Sequence, residues 1–285
     1  MDNKKELVVK ANRLVEASYR LTLAEQRLIL MAITEARRTQ KGLQVGITPL
    51  MVGIRPLITE ADELEIKAID FAKTFNLPSN QAYEQIQEAS KNLMQRQVTL
   101  HGTDPKTSLP DELVTHWVSS VRYVEGAGTL YLRFAHEIVP YITRLEAEFT
   151  SYKLEQIAKM TSVYSIRLYE LLLQWGCVGQ REIEMAWLRE IMLIEQHQYK
   201  AIKDFKRYVI DIALAQINEH SDLTVGYTQR KTGRNVTHLI FTFAPKKQIK
   251  KKPELTRECI EKHALPGETW EQAEKRLQGL LTETA

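Results

Sequence analysis

Apolar positions between His197 and Ser221 (HQYKAIKDFKRYVIDIALAQINEHS) recur at helical spacing: Tyr199, Ile202, Phe205, Val209, Ile212 and Ile217 lie three to five residues apart. The stripe predicts an amphipathic helix anchored along one side. At roughly 100° per residue, Lys200, Lys203 and Arg207 gather on the opposite side, and Lys206 flanks the stripe. Immediately downstream, Leu223, Val225 and Tyr227, then Val236, Leu239, Phe241 and Phe243, form two alternating runs around Arg230-Lys231-Thr232-Gly233-Arg234. Alternation on both sides of a glycine-containing turn predicts a β-hairpin with a cationic tip.

Upstream, Ile183-Glu184-Met185 reads as a short strand, followed by a short helix holding Trp187, Leu188, Ile191 and Met192. Two helices precede these, over Phe149 to Met160 and Ser162 to Trp175. Helix, strand, helix, basic helix and basic-tipped hairpin, in that order, is the layout of a winged helix-turn-helix.

The first half repeats the plan. Leu23 to Arg38 predicts a strong helix ended at Lys41-Gly42, Val45 to Ile58 leans towards strand, and a helix follows from about Glu60 to Phe75. Leu77-Pro78-Ser79 reads as a turn and N-cap before a helix from Ala82 to Arg96, with Tyr83, Ile86, Ala89, Leu93 and Met94 towards the core. Strands at Gln97 to Leu100, Trp117 to Tyr123 and Thr129 to Phe134 flank a polar loop at Gly102 to Asp111 and a turn at Glu125-Gly126-Ala127-Gly128. Leucines 7, 14, 21 and 28 suggest a zipper, but Asn12, Ser18 and Thr22 interrupt it. Thr22-Leu23-Ala24-Glu25 is a capping box that starts a new helix, so these are read as core leucines.

The expected fold is therefore α+β, two tandem winged-helix domains over residues 1–138 and 139–245. Glu137 to Glu148, with Pro140, is the linker between them. The remainder, 246–285, reads as a basic linker (Lys246-Lys247, Lys250-Lys251-Lys252-Pro253) and a flexible tail with a short polar helix near Trp270 to Leu281.

A length of 285 residues and 44% hydrophobic residues suit two globular domains. With 39 basic against 36 acidic residues the net charge is only +3, so an anionic partner must be met by local clustering. Between Tyr199 and Arg234 there are seven cations and four anions, which concentrates as much charge in one helix and hairpin as in the whole chain. Two readings of that face stand side by side: a solvated lysine surface with Asp204 and Asp211 as i,i+4 partners, or a helix built to enter a DNA major groove. Trp117, Trp175 and Trp187 read as core residues, not stacking platforms.

Cys177, in an apolar context, and Cys259, in the tail, are the only cysteines, with no CxxC and no Cys/His spacing read as a zinc motif. A reducing cytoplasm is the expected location, with no metal and no cofactor. No signal-peptide core and no apolar run long enough for a membrane span is present in the sequence.

Several motifs in this order resemble the iteron-binding replication initiators of theta-replicating bacterial plasmids, from about residue 7 to 245. They are Asn12 to Ala17, Leu21 to Leu30, Pro140-Tyr141-Ile142, Tyr164 to Leu172 and Asp204 to Ile210. The resemblance implies winged helices that bind repeated origin sequences as monomers, the C-terminal one reading the major groove and the N-terminal one supporting it and mediating dimerisation. Dimers would repress the initiator's own promoter through an inverted repeat. Carried onto this sequence, the recognition-helix positions are Lys200, Lys203, Lys206 and Arg207, and the wing positions are Arg230, Lys231 and Arg234. Lys91 and Arg96 are added for the first domain. Lysines stand where arginines would make better bidentate contacts to guanine.

The implied partners are double-stranded origin DNA, a second copy of the chain, and host replication-initiation and helicase-loading proteins. Bound side by side, several copies would distort the adjacent AT-rich duplex, and no covalent chemistry is asked of the protein. Two rivals remain. A dedicated winged-helix repressor shares every motif but needs a palindrome in place of direct repeats. A rolling-circle nicking enzyme needs a metal-binding histidine pair beside a tyrosine nucleophile, and the seven histidines include no His-x-His.

Overall fold

The computed structural model describes residues 6–44, 58–104, 106–143, 149–195, 197–246 and 255–282. The chain folds as two compact units, Met1–Val163 and Tyr164–Ala285.

In the first unit, β1 (Leu7–Ala11) leads into a short α1 (Asn12–Val15) and β2 (Ser18–Tyr19). The long α2 (Leu23–Gln44) follows. It begins at the expected capping box: the Thr22 amide donates to Glu25 Oε2 at 2.7 Å and the Glu25 amide to Thr22 Oγ1 at 3.3 Å. The helix runs past Gly42, where the sequence suggested a stop. The β-leaning stretch that follows lies almost entirely outside the described residues.

Next come β3 (Leu64–Lys67), α3 (Ala68–Phe75), α4 (Ser79–Asn92) and a 3-10 turn at Leu93–Gln95. Residues 64–67 are a strand, within the span where a helix from about Glu60 is expected. Leu64 and Ile66 are buried while Glu65 and Lys67 are exposed, a period of two that a four-residue run hardly betrays among helical neighbours. On α4 and the following turn, Ile86, Ala89 and Leu93 are core as expected, but Tyr83 and Met94 are exposed.

Strands β4 (Gln97–Thr103), β5 (Pro110–His116), β6 (Val118–Val124) and β7 (Thr129–Phe134) complete two sheets, ordered β2-β4-β5 and β3-β7-β6. β5 is a strand that the sequence pattern does not predict. A short α5 (Val139–Thr143) occupies part of the expected linker. After it, β8 (Phe149–Lys153) and a 3-10 turn at Leu154–Gln156 replace the expected helix over Phe149 to Met160. β8 pairs antiparallel with β1, Val8 opposite Tyr152, so the first unit closes only at Val163 and not at residue 138.

Buried Trp117 packs edge-on to Tyr19, ring centroids 4.9 Å apart. Arg27, buried on α2, donates to the carbonyl of Met160 at 3.0 Å and lies over the Phe75 ring, and burial lowers its pKa to about 10. Of the four spaced leucines, Leu14, Leu21 and Leu28 are core as expected and Leu7 is exposed, each in a different setting, which disposes of the zipper.

The second unit runs α6 (Val163–Leu173), β9 (Gln180–Glu184), α7 (Met185–Ile191), a basic helix from Ile202 to His220, β10 (Leu223–Thr232) and β11 (Asn235–Pro245). Its sheet order is β10-β11-β9. The first unit's β6-β7-β3 is the same arrangement: a hairpin whose second strand also pairs with the short strand that precedes the helix pair. The repeated plan read from the sequence therefore extends to strand order.

The tail is ordered where described, contrary to a flexible segment. α10 (Arg257–His263) and α11 (Trp270–Thr282) bring Ile260, Ala273 and Leu277 onto Val178, with Trp175 and Leu280 at the margin. Four or five apolar side chains suffice because they complete an existing core and do not need one of their own. Cys177 and Cys259, 82 positions apart, are joined there as a disulfide. Trp175 stacks on the His263 ring at 4.1 Å, and Arg276 Nη2 donates to the His263 carbonyl at 2.7 Å. Most of the Lys-rich linker lies outside the described residues.

Candidate nucleic-acid interface

The basic helix is held by its neighbours before any ligand is considered. Residues 197–199 form a turn, with Tyr199 in the left-handed region (φ 48°), so the helix begins at Ile202 and not at His197. Lys200 consequently precedes the helix. Arg189 on α7 secures this turn: Nη1 donates to the Gln198 carbonyl at 3.1 Å, Nη2 donates to the Tyr199 carbonyl, and the guanidinium covers the Phe205 ring at 4.6 Å. A planar fork suits two adjacent carbonyls, and its stacking fixes where the helix enters.

The helix is continuous but not uniform. α8 (Ile202–Phe205) passes through a π-turn at Lys206–Ile210 into α9 (Asp211–His220). The wider turn shifts the phase, so the buried set is Phe205, Val209, Ile210, Ala213, Leu214 and Ile217. Ile202 and Ile212, on the expected stripe, are exposed instead. A π-turn inserts one residue into the α-helical repeat, which is why a stripe extrapolated at 3.6 residues per turn fails beyond it.

On the outer side Lys203 and Arg207 are exposed, one turn apart. Arg207 lies over the Tyr208 ring at 5.3 Å, and Tyr208 is itself exposed. Asp211, considered above as a partner for Arg207, instead accepts a hydrogen bond from Tyr227 Oη at 2.9 Å. Burial first, and this bond second, raise the Tyr227 pKa to about 12, so the phenol remains a donor at neutral pH. Among the described residues no ion pair engages Lys200, Lys203, Arg207, Lys231 or Arg234. The face is thus a set of open cations, not a lattice of i,i+4 pairs.

The hairpin is fastened to the helix by three side chains. Asn218 Nδ2 donates to the Val225 carbonyl at 2.8 Å while the Val225 amide donates to Asn218 Oδ1 at 2.6 Å. Tyr227 reaches Asp211, and Lys206 Nζ donates to Gln229 Oε1 at 3.1 Å above the Tyr227 ring. Lys206 therefore bridges helix and wing. At the tip Thr232 pairs with Asn235, leaving Gly233-Arg234 as a two-residue loop, and Gly233 takes a positive φ of 62° that such a loop requires. Lys231 and Arg234 are exposed there, whereas Arg230 is turned back by Glu182, Nε to Oε1 at 2.5 Å. The sequence carried no sign of Arg189, Asn218 or Tyr227 as positioning residues, because their partners are backbone atoms or a residue on another element.

The first unit presents a different surface. Its hairpin turn, Glu125 to Gly128, has no cation, and the flanking Arg122 and Arg133 meet Glu63 at 2.7 and 3.8 Å. Gly128 sits under the Tyr83 ring, where a Cβ would fall 2.0 Å from Cε1. Lys91 is exposed in the last turn of α4, and Arg96 is engaged by Glu25. Trp175 and Trp187 are half-buried beside Arg181, at 6.0 and 5.3 Å, and Trp117 is fully buried.

The sequence matches the family description "Initiator Replication protein, WH1" over residues 7–173 and "Initiator Rep protein, WH2" over residues 184–243. An Escherichia coli "PI protein" is 25% identical over 270 residues, spanning 85% of this chain and 83% of its own. An Escherichia coli "Replication initiation protein" is 26% identical over 248 residues, spanning 83% of this chain and 69% of its own. A crystal structure of Pi initiator protein in complex with iteron DNA superposes with TM-score 0.61 at 22% identity, over 86% of this chain and all of that one, a likeness of fold. The α+β pair of winged helices expected from the sequence is the fold of the chain. Among the described residues no helix is long and apolar enough to cross a membrane.

Proposed function

The chain belongs to the initiator replication protein family, and from that membership we propose that it starts plasmid replication by binding repeated origin sequences through its second winged helix. The observation that carries this reading is the unpaired cationic face of that unit. Lys203 and Arg207 project from a helix whose other side is core, and Lys231 and Arg234 extend the charge onto the wing. A helix of this diameter fits the major groove, while a wing supplies phosphate contacts that set register without reading sequence. Relatives named PI protein and Replication initiation protein, and a fold shared with a Pi initiator bound to iteron DNA, support the same reading.

Within it, Lys203 and Arg207 are the helix contacts, Lys200 approaches phosphate just ahead of the helix, and Lys206 sets the wing against the helix. Arg230 acts on phosphate only if it leaves Glu182. The first winged helix, with its acidic wing tip, supports binding through Lys91 and mediates dimerisation, while Arg96 serves the fold. Monomers side by side on direct repeats strain the neighbouring AT-rich duplex, which then admits host helicase-loading proteins. A dimer on an inverted repeat would repress the initiator's own gene.

A footprint of the purified protein, at two concentrations, on DNA flanking its coding region tests this. Several evenly spaced protected repeats are the expected result. Protection of one palindrome alone would favour a dedicated repressor, and nicked product from supercoiled origin DNA would favour the enzymatic rival.

A further inference from the structure

We propose that Cys177, Cys259 and His263 form a zinc site in the reduced protein, one that fastens the C-terminal helix pair to the second winged helix. One potential ligand atom from each of the three residues lies within 4.8 Å of the other two. Cys259 and His263 stand four residues apart on α10, which puts both side chains on one face of the helix. This C-x3-H spacing is within the range used by zinc-binding pairs, and the third ligand lies 82 positions away, so the three form no local sequence motif.

His263 supplies the observation that points to a ligand. The residue is buried, only 8% exposed, and its Nε2 has no hydrogen-bond partner among the described residues. The ring also makes a hydrogen bond to the backbone of Gln174. A metal-bound imidazole is ordinarily held in this way, one nitrogen on a backbone group and the other on the ion. Trp175 stacked on the ring at 4.1 Å restrains its plane. An unpartnered buried ring nitrogen is costly, and a metal bond is one arrangement that recovers it.

Two thiolates and one imidazole are a soft, borderline donor set that favours zinc over magnesium or calcium. Zinc takes them tetrahedrally, with water in the fourth position. Cys177 is only half-buried, which gives the ion a route in. The disulfide and the metal exclude one another. A dithiol reductant delivers two electrons and two protons to the Cys177–Cys259 bond and is itself oxidised to a disulfide, and Zn2+ then displaces the two thiol protons. Either bond ties the segment before β9 to α10, so the tail stays docked in both redox states.

The test uses the full chain, reduced with a phosphine under argon and titrated with Zn2+ against a chromogenic chelator. One equivalent per chain is expected, and Co2+ in its place should give thiolate-to-cobalt charge transfer and tetrahedral d–d bands. The oxidised protein should bind no metal at this site. His263→Gln leaves both cysteines in place and should weaken zinc by more than about tenfold, and the cobalt spectrum of the unmutated protein carries the test should that variant fold poorly. No uptake by reduced, folded protein with two titratable thiols would overturn the proposal. Equal uptake by the oxidised protein, or unchanged affinity in His263→Gln, would do so as well.

Discussion

Arg96 Nε donates to both carboxylate oxygens of Glu25, at 3.0 and 2.9 Å, and so joins the end of α4's turn to the capping box that starts α2. Glu25 is only 1% exposed, and the same carboxylate accepts from the Thr22 amide. One buried charge thus caps a helix and anchors an arginine 71 residues further on.

Arg96→Ala should therefore destabilise the first unit, not its DNA contacts. The arginine is partly exposed, so a loss on the order of 2 kcal/mol is expected, below that of a fully buried pair. Denaturant unfolding of the full chain checks the stability. Unaltered stability with weakened DNA binding would return Arg96 to the interface.

Arg189 is expected to act on DNA binding from a distance. Arg189→Met keeps the cover over Phe205 but loses the donors to the Gln198 and Tyr199 carbonyls, so the start of the basic helix is no longer fixed. Affinity for the repeat should fall about tenfold, roughly 1.4 kcal/mol, with secondary structure intact by circular dichroism. Arg189→Lys should recover little of it, because an ammonium lacks the fork that spans two carbonyls. Full activity in Arg189→Met would make the turn self-sufficient.

What could be read in advance was local. Thr22 and Glu25 announce their cap three residues apart, and Phe205, Val209 and Ile217 announce a buried face at helical spacing. Local pattern fails where a distant partner or a local irregularity decides. β3 and β8 are strands because Leu132 and Val8 lie opposite Leu64 and Tyr152, far away in sequence, and short runs such as FTSYK fit either period. Ile212 fits the apolar stripe at 3.6 residues per turn yet is exposed, because the π-turn before it leaves no mark in the sequence pattern. The cationic residues were all visible, but their availability was not: Glu25 and Glu182 engage Arg96 and Arg230, while Arg207 and Lys231 remain open.

Acid should loosen the docked tail. Glu268 accepts from Arg276 Nε at 2.9 Å and from the Leu265 amide at 2.9 Å, and these bonds, the Arg276 one first, lower its pKa from 4.5 to about 2. A depressed carboxylate contributes stability that is complete above 4.5 and is lost as pH falls towards 2. Glu268→Gln should lower tail stability at neutral pH and flatten its dependence across that window. Trp175 and Trp270 fluorescence during acid titration provides the readout, and an acid profile identical in the variant would show that Glu268 contributes nothing to docking.

The wing and the helix should fail in different ways. Lys231 is exposed at the hairpin tip beside Gly233-Arg234, a position suited to the phosphate backbone. Removing one phosphate contact lowers the slope of log K against log salt by about 0.9, so Lys231→Ala should flatten it by that amount on specific and random DNA alike. Arg207 projects from the helix with the exposed Tyr208 ring beneath it, and a guanidinium there can pair bidentately with guanine. Arg207→Ala should cost about 1–3 kcal/mol of discrimination between the repeat and random sequence, with a smaller change in slope. Salt titrations of both variants on both DNAs separate the two roles, because only a base contact distinguishes one sequence from another. Equal losses on both DNAs would make Arg207 a second phosphate contact and leave sequence reading to the remaining exposed helix residues, beginning with Lys203.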